Sequence, residues 1–223
     1  MGRRFYTGRA LPVPLTGCFA KITRISSSFP SQLPRQTMRK VTFLCLALLA
    51  FVAPTAPAQQ VALVRVHTNM GSFLIELHTE RAPLTVKNFL DYVRSGHYNG
   101  TIFHRVVTNF VAQAGGYDEQ YVERPTKAPV PNESGNGLSN RRGTVGLART
   151  GDPHSGTSQF YVNLVDNAGL DPQPSRWGYA VFGRVIEGMN VIDQIGAVAT
   201  GEGGPFESDV PLKPIVIERV EEL

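Results

Sequence analysis

Phe103-His104-Arg105-Val106-Val107-Thr108-Asn109-Phe110-Val111-Ala112-Gln113-Ala114-Gly115-Gly116 sets one arginine and one glutamine, eight residues apart, in a run that is otherwise largely apolar. Its β-branched and aromatic residues read as two strands, 101–107 and 110–114, on either side of a turn. Strand alternation puts Arg105 on the face opposite Val106, and puts Gln113 on the same face as Val111. The stretch holds no nucleophile, no metal-ligand set and no phosphate loop. An apolar surface carrying one cation and one amide suits a neutral, ring-shaped guest.

Upstream, 61–67 and 72–78 are β-rich runs separated by Thr68-Asn69-Met70-Gly71, which reads as a hairpin. Pro83 then stands at a helix start and Gly96 just past a helix end. Between them Val86, Phe89, Leu90 and Val93 recur at helical spacing and predict an amphipathic helix. Downstream, strands are expected at 143–148, 159–164, 179–185 and 214–220, and a shorter helix at 188–195 with Met189, Ile192 and Ile195 inward. Residues 115–142, 150–157 and 166–178 are polar and carry Gly, Pro or Asn, as surface loops do. Eight strands and two isolated helices predict a mainly β fold, a closed barrel with helices over its open ends. A barrel of about eight strands is filled by its own side chains, so a ligand must bind outside it.

The N-terminal segment is read as targeting sequence. Met38-Arg39-Lys40, the apolar run 41–53 and Ala56-Pro57-Ala58 follow the order of a secretory signal peptide, with cleavage expected after Ala58. The run is shorter than the about 20 residues of a spanning helix, so no stable membrane insertion is expected once it is removed. Residues 1–37 form a separate leader, rich in Arg, Ser and Thr. They are either a transit-type segment or sequence upstream of a true initiator at Met38. The second reading is favoured, since Met38 opens a complete signal peptide. Residues 59–223 are then the folded domain.

Removing 1–58 inverts the electrostatics. The whole chain has 22 Lys and Arg against 18 Asp and Glu, and eight of the bases but none of the acids lie in 1–58. The remainder has 22 − 8 = 14 bases and a net charge of 14 − 18 = −4. The basic balance belongs to the leader and gives no argument for nucleic-acid binding. Both cysteines, Cys18 and Cys45, lie there too, so the domain needs no disulfide, which is compatible with an exported compartment. His67, His78, His97, His104 and His154 show no metal-ligand spacing, so no metal is expected. Ser155, Thr157 and Ser158 lack the G-x-S-x-G elbow of a serine hydrolase. Phe110, Val111, Tyr161 and Leu170 remain as the apolar surface beside Arg105 and Gln113.

FHRVVTNFVAQAGG resembles the cyclophilin signature, which runs Phe-His-Arg, two aliphatics, a turn, Phe, an apolar residue, any residue and Gln. GTSQFYVNL, residues 156–164, is similar to the family's second signature around a Ser-Gln-Phe core. Gly169-Leu170-Asp171 and YAVFGRVIEGMNVID, residues 179–193, resemble its later segments. The resemblance runs from about Ala62 to Val220, and the loop at 118–138 with SRWGYAVFG is most similar to bacterial exported members. It implies a closed eight-stranded antiparallel cyclophilin-like β-barrel capped by two α-helices, with peptidyl-prolyl cis–trans isomerase activity and no cofactor. The implied partners are proline-containing unfolded or extended polypeptides, met by a monomer in the periplasm. A non-catalytic, proline-peptide-binding chaperone or scaffold of the same fold is the alternative.

The resemblance also implies roles. Arg105 stabilises the transition state, and Gln113 binds the substrate backbone, helped by Ala148 and Arg149. His104 braces the site, while Phe110, Val111, Tyr161 and Leu170 hold the proline ring. Four positions depart from the family's common pattern. Tyr161 stands where many members have Phe, Tyr179 where many have His, and Val111 where Met is common. Gly169 stands where many members carry Trp and bacterial ones often Phe, an aromatic tied to cyclosporin binding, so weak sensitivity to that drug is expected. Trp177 is the nearest ring in sequence that could fill the gap.

Overall fold

The computed structural model describes residues 62–223. The leader, the signal segment and its cleavage junction lie outside the described residues. The chain begins with β1 (Ala62–Thr68) and β2 (Gly71–Leu77), paired from Ala62↔Leu77 to Thr68↔Gly71. The turn between them is tied by Thr68, whose hydroxyl accepts from the Met70 N–H at 3.1 Å and donates to the Gly71 carbonyl at 2.7 Å. Alternation buries Val64, Val66, Phe73, Ile75 and Leu77.

Helix α1 (Pro83–Arg94) starts on Pro83, whose missing N–H and fixed φ suit that position. Its next two N–H groups, on Leu84 and Thr85, donate to the Glu133 carboxylate at 3.1 and 2.8 Å. An anion at this end is favourable, and here it also fastens the long loop to the helix. Val86, Phe89, Leu90 and Val93 are all buried, as the spacing requires. Phe89 meets Phe160 edge-on at 5.5 Å, Phe182 at 5.1 Å and Tyr98 at 5.2 Å. These rings pack against one another in the interior.

The remaining strands are β3 (Thr101–Ile102), β4 (Arg105–Val107), β5 (Val111–Ala114), β6 (Thr144–Leu147), β7 (Phe160–Asn163), β8 (Val181–Glu187), β9 (Thr200–Gly203), β10 (Phe206–Pro211) and β11 (Val216–Glu222). A short 3-10 turn, Ala168–Leu170, follows β7, and helix α2 (Met189–Gly196) follows β8. On α2, Ile192 and Ile195 are buried, while Met189 packs half-buried against the core.

Nine strands form one sheet in the order β3-β11-β1-β2-β8-β6-β7-β5-β4, every neighbouring pair antiparallel. The mainly β, antiparallel, two-helix architecture is as expected, but the expected eight-strand closure needs correction. The run expected as a single strand at 101–107 breaks at Phe103-His104. Its first part pairs with β11 at one edge of the sheet, and its second part pairs with β5 at the other. The sheet therefore curls until its edges are two residues of chain apart, and the seam is spanned covalently. A second sheet, the β9–β10 hairpin, was not expected from sequence.

Candidate active site

Register places the functional side chains. Arg105 on β4 lies opposite Gln113 on β5, Gln113 opposite Tyr161 on β7, and Tyr161 opposite Gly146 on β6. Directly opposed residues share a face, so these four positions form one row across four strands. Gly146 is the bare end of the row, and a Cβ there would collide with the Tyr161 phenol. Phe110 sits just before β5, after Asn109, whose φ of 59° closes the β4–β5 turn in a left-handed conformation that asparagine tolerates.

Arg105, Phe110, Val111, Gln113, Ala148, Arg149, Tyr161, Leu170 and Tyr179 line one cleft of ≈ 260 Å³. Nine of the ten residues expected at the site thus meet around one space outside the filled barrel. The tenth, His104, does not line it. It is 2 % exposed and lies behind Arg105, with its ring 4.9 Å from Tyr117 and 5.5 Å from Phe206. Burial drives its pKa down to about 4, against a smaller opposing pull from the Ile102 backbone and the Gln159 side chain. His104 is therefore a neutral ring at ordinary pH, and its Nδ1 has no hydrogen-bond partner among the described residues.

Arg149 lines the cleft, yet its charge is engaged elsewhere. Its guanidinium lies 4.3 Å over the Tyr179 ring and donates to the carbonyls of Thr150, Trp177 and Gly178 at 2.8, 3.0 and 3.2 Å. It pins 177–179 against the end of β6. Gln113 Nε2 donates to Gln159 Oε1 at 2.8 Å, which fixes the orientation of its amide. Gln159 was missed as a site residue, although the Ser-Gln-Phe motif contained it. Gly116 makes room for it, since a Cβ there would come within 2.6 Å of the Gln159 amide. A smaller cleft of ≈ 160 Å³ continues past Gln113, Ala148 and Arg149 towards Glu123, Thr150, Ser155 and Thr157.

The far wall hangs on a residue that sequence reasoning also missed. Asn140, 1 % exposed, accepts a hydrogen bond from the Tyr161 hydroxyl at 2.6 Å and from Asn163 Nδ2 at 3.2 Å. It donates through Nδ2 to Asp171 Oδ1 at 2.9 Å and to the Tyr179 carbonyl at 3.4 Å. Its backbone N–H also donates to Asp171 Oδ1, at 2.7 Å, and its carbonyl accepts from Asn167 N–H at 2.7 Å. Asn167 and Asp171 flank the 3-10 turn that carries Leu170. Burial pushes the Tyr161 phenol well above its usual pKa, so it stays a donor.

Gly169 leaves its part of the wall open, with nothing within 4 Å of where a Cβ would stand. Trp177 does not fill the gap. It is 48 % exposed, its ring packs edge-on to His154 at 5.2 Å, and it lines a separate hollow with Pro172 and Arg176. Among the described residues no cluster of His, Cys, Asp and Glu is arranged to hold a metal, and no helix is long and apolar enough to cross a membrane.

Residues 63–222 match the family model for cyclophilin type peptidyl-prolyl cis-trans isomerases. The chain belongs to this family. It is 51% identical over 158 residues to peptidyl-prolyl cis-trans isomerase cyp18 of Streptomyces antibioticus, spanning 70% of this chain and 95% of that protein. Peptidyl-prolyl cis-trans isomerase B of Escherichia coli is 48% identical over 161 residues, 71% of this chain and 98% of the relative. The crystal structure of a cyclophilin type isomerase of Cryptosporidium parvum superposes with a TM-score of 0.61 at 26% identity, covering 73% of this chain and 98% of that one. That protein has also been solved in the presence of the dipeptide Ala-Pro. The cyclophilin fold and peptidyl-prolyl cis–trans isomerase activity are thus this chain's own.

Proposed function

We propose that this cyclophilin is exported to the periplasm, where it rotates X-Pro bonds in unfolded or extended polypeptides and so assists their folding. The basic, apolar and small-residue order of 38–58 supports export, as does a domain free of cysteine. The observation that carries the catalytic reading is the row Arg105–Gln113–Tyr161, with one cation at one end and an apolar seat at the other.

The chemistry requires little more. Rotation about an amide faces a barrier of about 18–20 kcal/mol because conjugation must break. As it breaks, a lone pair returns to the prolyl nitrogen. Arg105 donates to that lone pair, which is a poor acceptor in the planar ground state, so the bond favours the twisted transition state selectively. Gln113, its Nε2 held by Gln159, offers its carbonyl oxygen to a substrate N–H. Phe110, Val111, Tyr161 and Leu170 seat the proline ring, Tyr179 closes one side under Arg149, and Ala148 lies along the peptide. An extended substrate continues past Ala148 into the neighbouring smaller cleft. His104 supports the site from behind without touching substrate.

The test is isomerisation of a chromogenic X-Pro tetrapeptide by the domain 59–223 and its Arg105→Ala variant. One charge-assisted hydrogen bond of about 1.5–3 kcal/mol corresponds to a loss of about ten- to a hundredfold in kcat/KM. Arg105 is 37 % exposed at its side chain, so the fold should survive the change. Unchanged activity in the variant would overturn the assignment of Arg105. Export is tested by N-terminal sequencing of the protein recovered from the periplasm, where Gln59 is the expected first residue.

A further inference from the structure

We propose that Asp209 is the positioning residue of Arg105, aiming its guanidinium over the cleft. The inference rests on the role given to Arg105 above and adds a residue that lies outside the cleft lining. Among the described residues the Arg105 side chain makes no hydrogen bond, and its one ionic contact is Nε to Asp209 Oδ2 at 3.8 Å. The carboxylate approaches the Nε side of the guanidinium, leaving the outer nitrogens to the cleft. A guanidinium is planar with donors in a fixed fork, so one anion on its inner edge restricts where the other donors point.

The backbone at Asp209 is built for that contact. Its φ of 64° is left-handed, a conformation that aspartate, like asparagine, adopts more readily than other residues with a Cβ but less readily than glycine, and one of only three such non-glycine cases among the described residues. Strain of this kind persists where surrounding structure fixes it, and it gathers at functional sites. The surrounding structure here is a bulge. Between the pairs Phe206↔Gly203 and Val210↔Gly201, β10 advances four residues while β9 advances two. The extra residues in β10 end on Asp209 and turn its side chain towards β4, as bulges beside active sites re-aim side chains.

The hairpin is anchored at both ends of the bulge. Phe206 packs against His104 at 5.5 Å and edge-on against Tyr117 at 5.1 Å, and Val210 is 2 % exposed. His104 therefore has a job that its absence from the cleft left open. It ties β10 to the residue next to Arg105, so that Asp209 is presented at a fixed place. Both members of the pair are about one-third exposed, at 37% and 36%, and water screens them in the free enzyme. A peptide lying in the cleft excludes that water and strengthens the pair when rotation occurs.

The experiment compares Asp209→Asn and Asp209→Gly with Arg105→Ala in the domain 59–223, measuring kcat and KM separately and the urea midpoint of unfolding. Asparagine tolerates the left-handed backbone but lacks the charge, and glycine removes the strain along with the charge. Both variants should lose about two- to fivefold in kcat with KM changed less than about twofold, the scale of one partly screened ion pair. Asp209→Gly should unfold at higher urea than the wild type while being less active, a combination that a purely structural residue would not produce. The double variant Arg105→Ala/Asp209→Asn should be no slower than Arg105→Ala alone. If Arg105→Ala is impaired and Asp209→Asn keeps full kcat, this proposal fails while the role of Arg105 stands. If Arg105→Ala is itself fully active, the underlying reading fails first.

Discussion

Asn140 and Tyr161 offer a stability cycle whose outcome follows from counting hydrogen bonds. Tyr161→Phe removes the hydroxyl that donates at 2.6 Å to Asn140 Oδ1, but that oxygen keeps Asn163 Nδ2 at 3.2 Å. No buried group is orphaned, so the expected loss is about 0.5–1.5 kcal/mol. Asn140→Ala differs. Asn163 Nδ2 retains Thr144 Oγ1 at 2.9 Å, and Asp171 Oδ1 retains the residue-140 backbone N–H at 2.7 Å. The Tyr161 hydroxyl, in a residue 3 % exposed, retains nothing, and the half-buried Tyr179 carbonyl loses only its long 3.4 Å bond. An unsatisfied buried donor costs about 1–3 kcal/mol, and with the emptied amide volume the total should reach about 2–4 kcal/mol.

In the Tyr161→Phe background there is no hydroxyl to orphan, so Asn140→Ala should be milder by about 1–2 kcal/mol. Urea denaturation of the four proteins, followed by Trp177 fluorescence or circular dichroism, measures that coupling. Activity supplies an independent readout. Tyr161→Phe keeps the ring and should retain kcat/KM within about threefold, since no substrate contact is removed. Asn140→Ala frees the 3-10 turn and Leu170, and should raise KM about five- to tenfold with little change in kcat. Equal destabilisation by Asn140→Ala in both backgrounds would refute the reasoning, because it would mean the Tyr161 hydroxyl is satisfied by some other group.

Three further outcomes follow from single positions. His104, depressed to about 4 from an ordinary 6.5, is neutral when folded, so the unfolded chain binds the extra proton between those values. Its contribution is complete above pH 6.5 and is lost as pH falls towards 4, by up to about 3 kcal/mol; His104→Phe should flatten that part of the urea-midpoint profile. Gly146→Ala drives a methyl into the Tyr161 phenol and should destabilise by about 1–3 kcal/mol while lowering kcat/KM, checked by the same denaturation and tetrapeptide assays. Gly169→Trp meets open space, so it should fold normally and bind cyclosporin more tightly than the wild type, in which weak binding is expected; titration calorimetry on both proteins decides this.

Sequence pattern reached furthest where one element satisfies itself. Val86, Phe89, Leu90 and Val93 announce α1 because a helix buries one stripe whatever it packs against. The β1–β2 pair is equally legible, since alternation and a turn residue suffice. The run 101–107 shows where local pattern stops. It is continuously β-like, yet no local property of Phe103-His104 records that the chain changes sheet edges there. The β9–β10 hairpin was invisible for a related reason. Gly201-Glu202-Gly203-Gly204-Pro205-Phe206-Glu207-Ser208-Asp209-Val210 has only two apolar side chains and no alternation. What holds it is tertiary: Phe206 on two distant rings, and the bare Gly203 and Gly204 that leave space for Tyr121.

The same distinction sorts the site. Arg105, Val111, Gln113 and Tyr161 were legible because they sit in motif segments whose strands pair in register, so that linear order becomes a spatial row, while Phe110, Ala148, Arg149, Leu170 and Tyr179 reach the cleft from the turns and loops at the strand ends. Asn140, Gln159 and Asp209 lie outside the lining of the larger cleft and contact side chains that line it. Asn140 reaches Tyr161 across 21 residues, and Asp209 meets Arg105 from a different sheet. In sequence each is an ordinary polar residue of a loop or a weak strand, with nothing local to mark it. What separates Asn140 is burial of an amide with every hydrogen bond made, and what separates Asp209 is a left-handed backbone beside the Arg105 guanidinium. The reaction asks for one donor aimed at a nitrogen that becomes an acceptor only midway through rotation. Precision in that aim has to come from residues behind the donor, and these are the ones that linear pattern could not reveal.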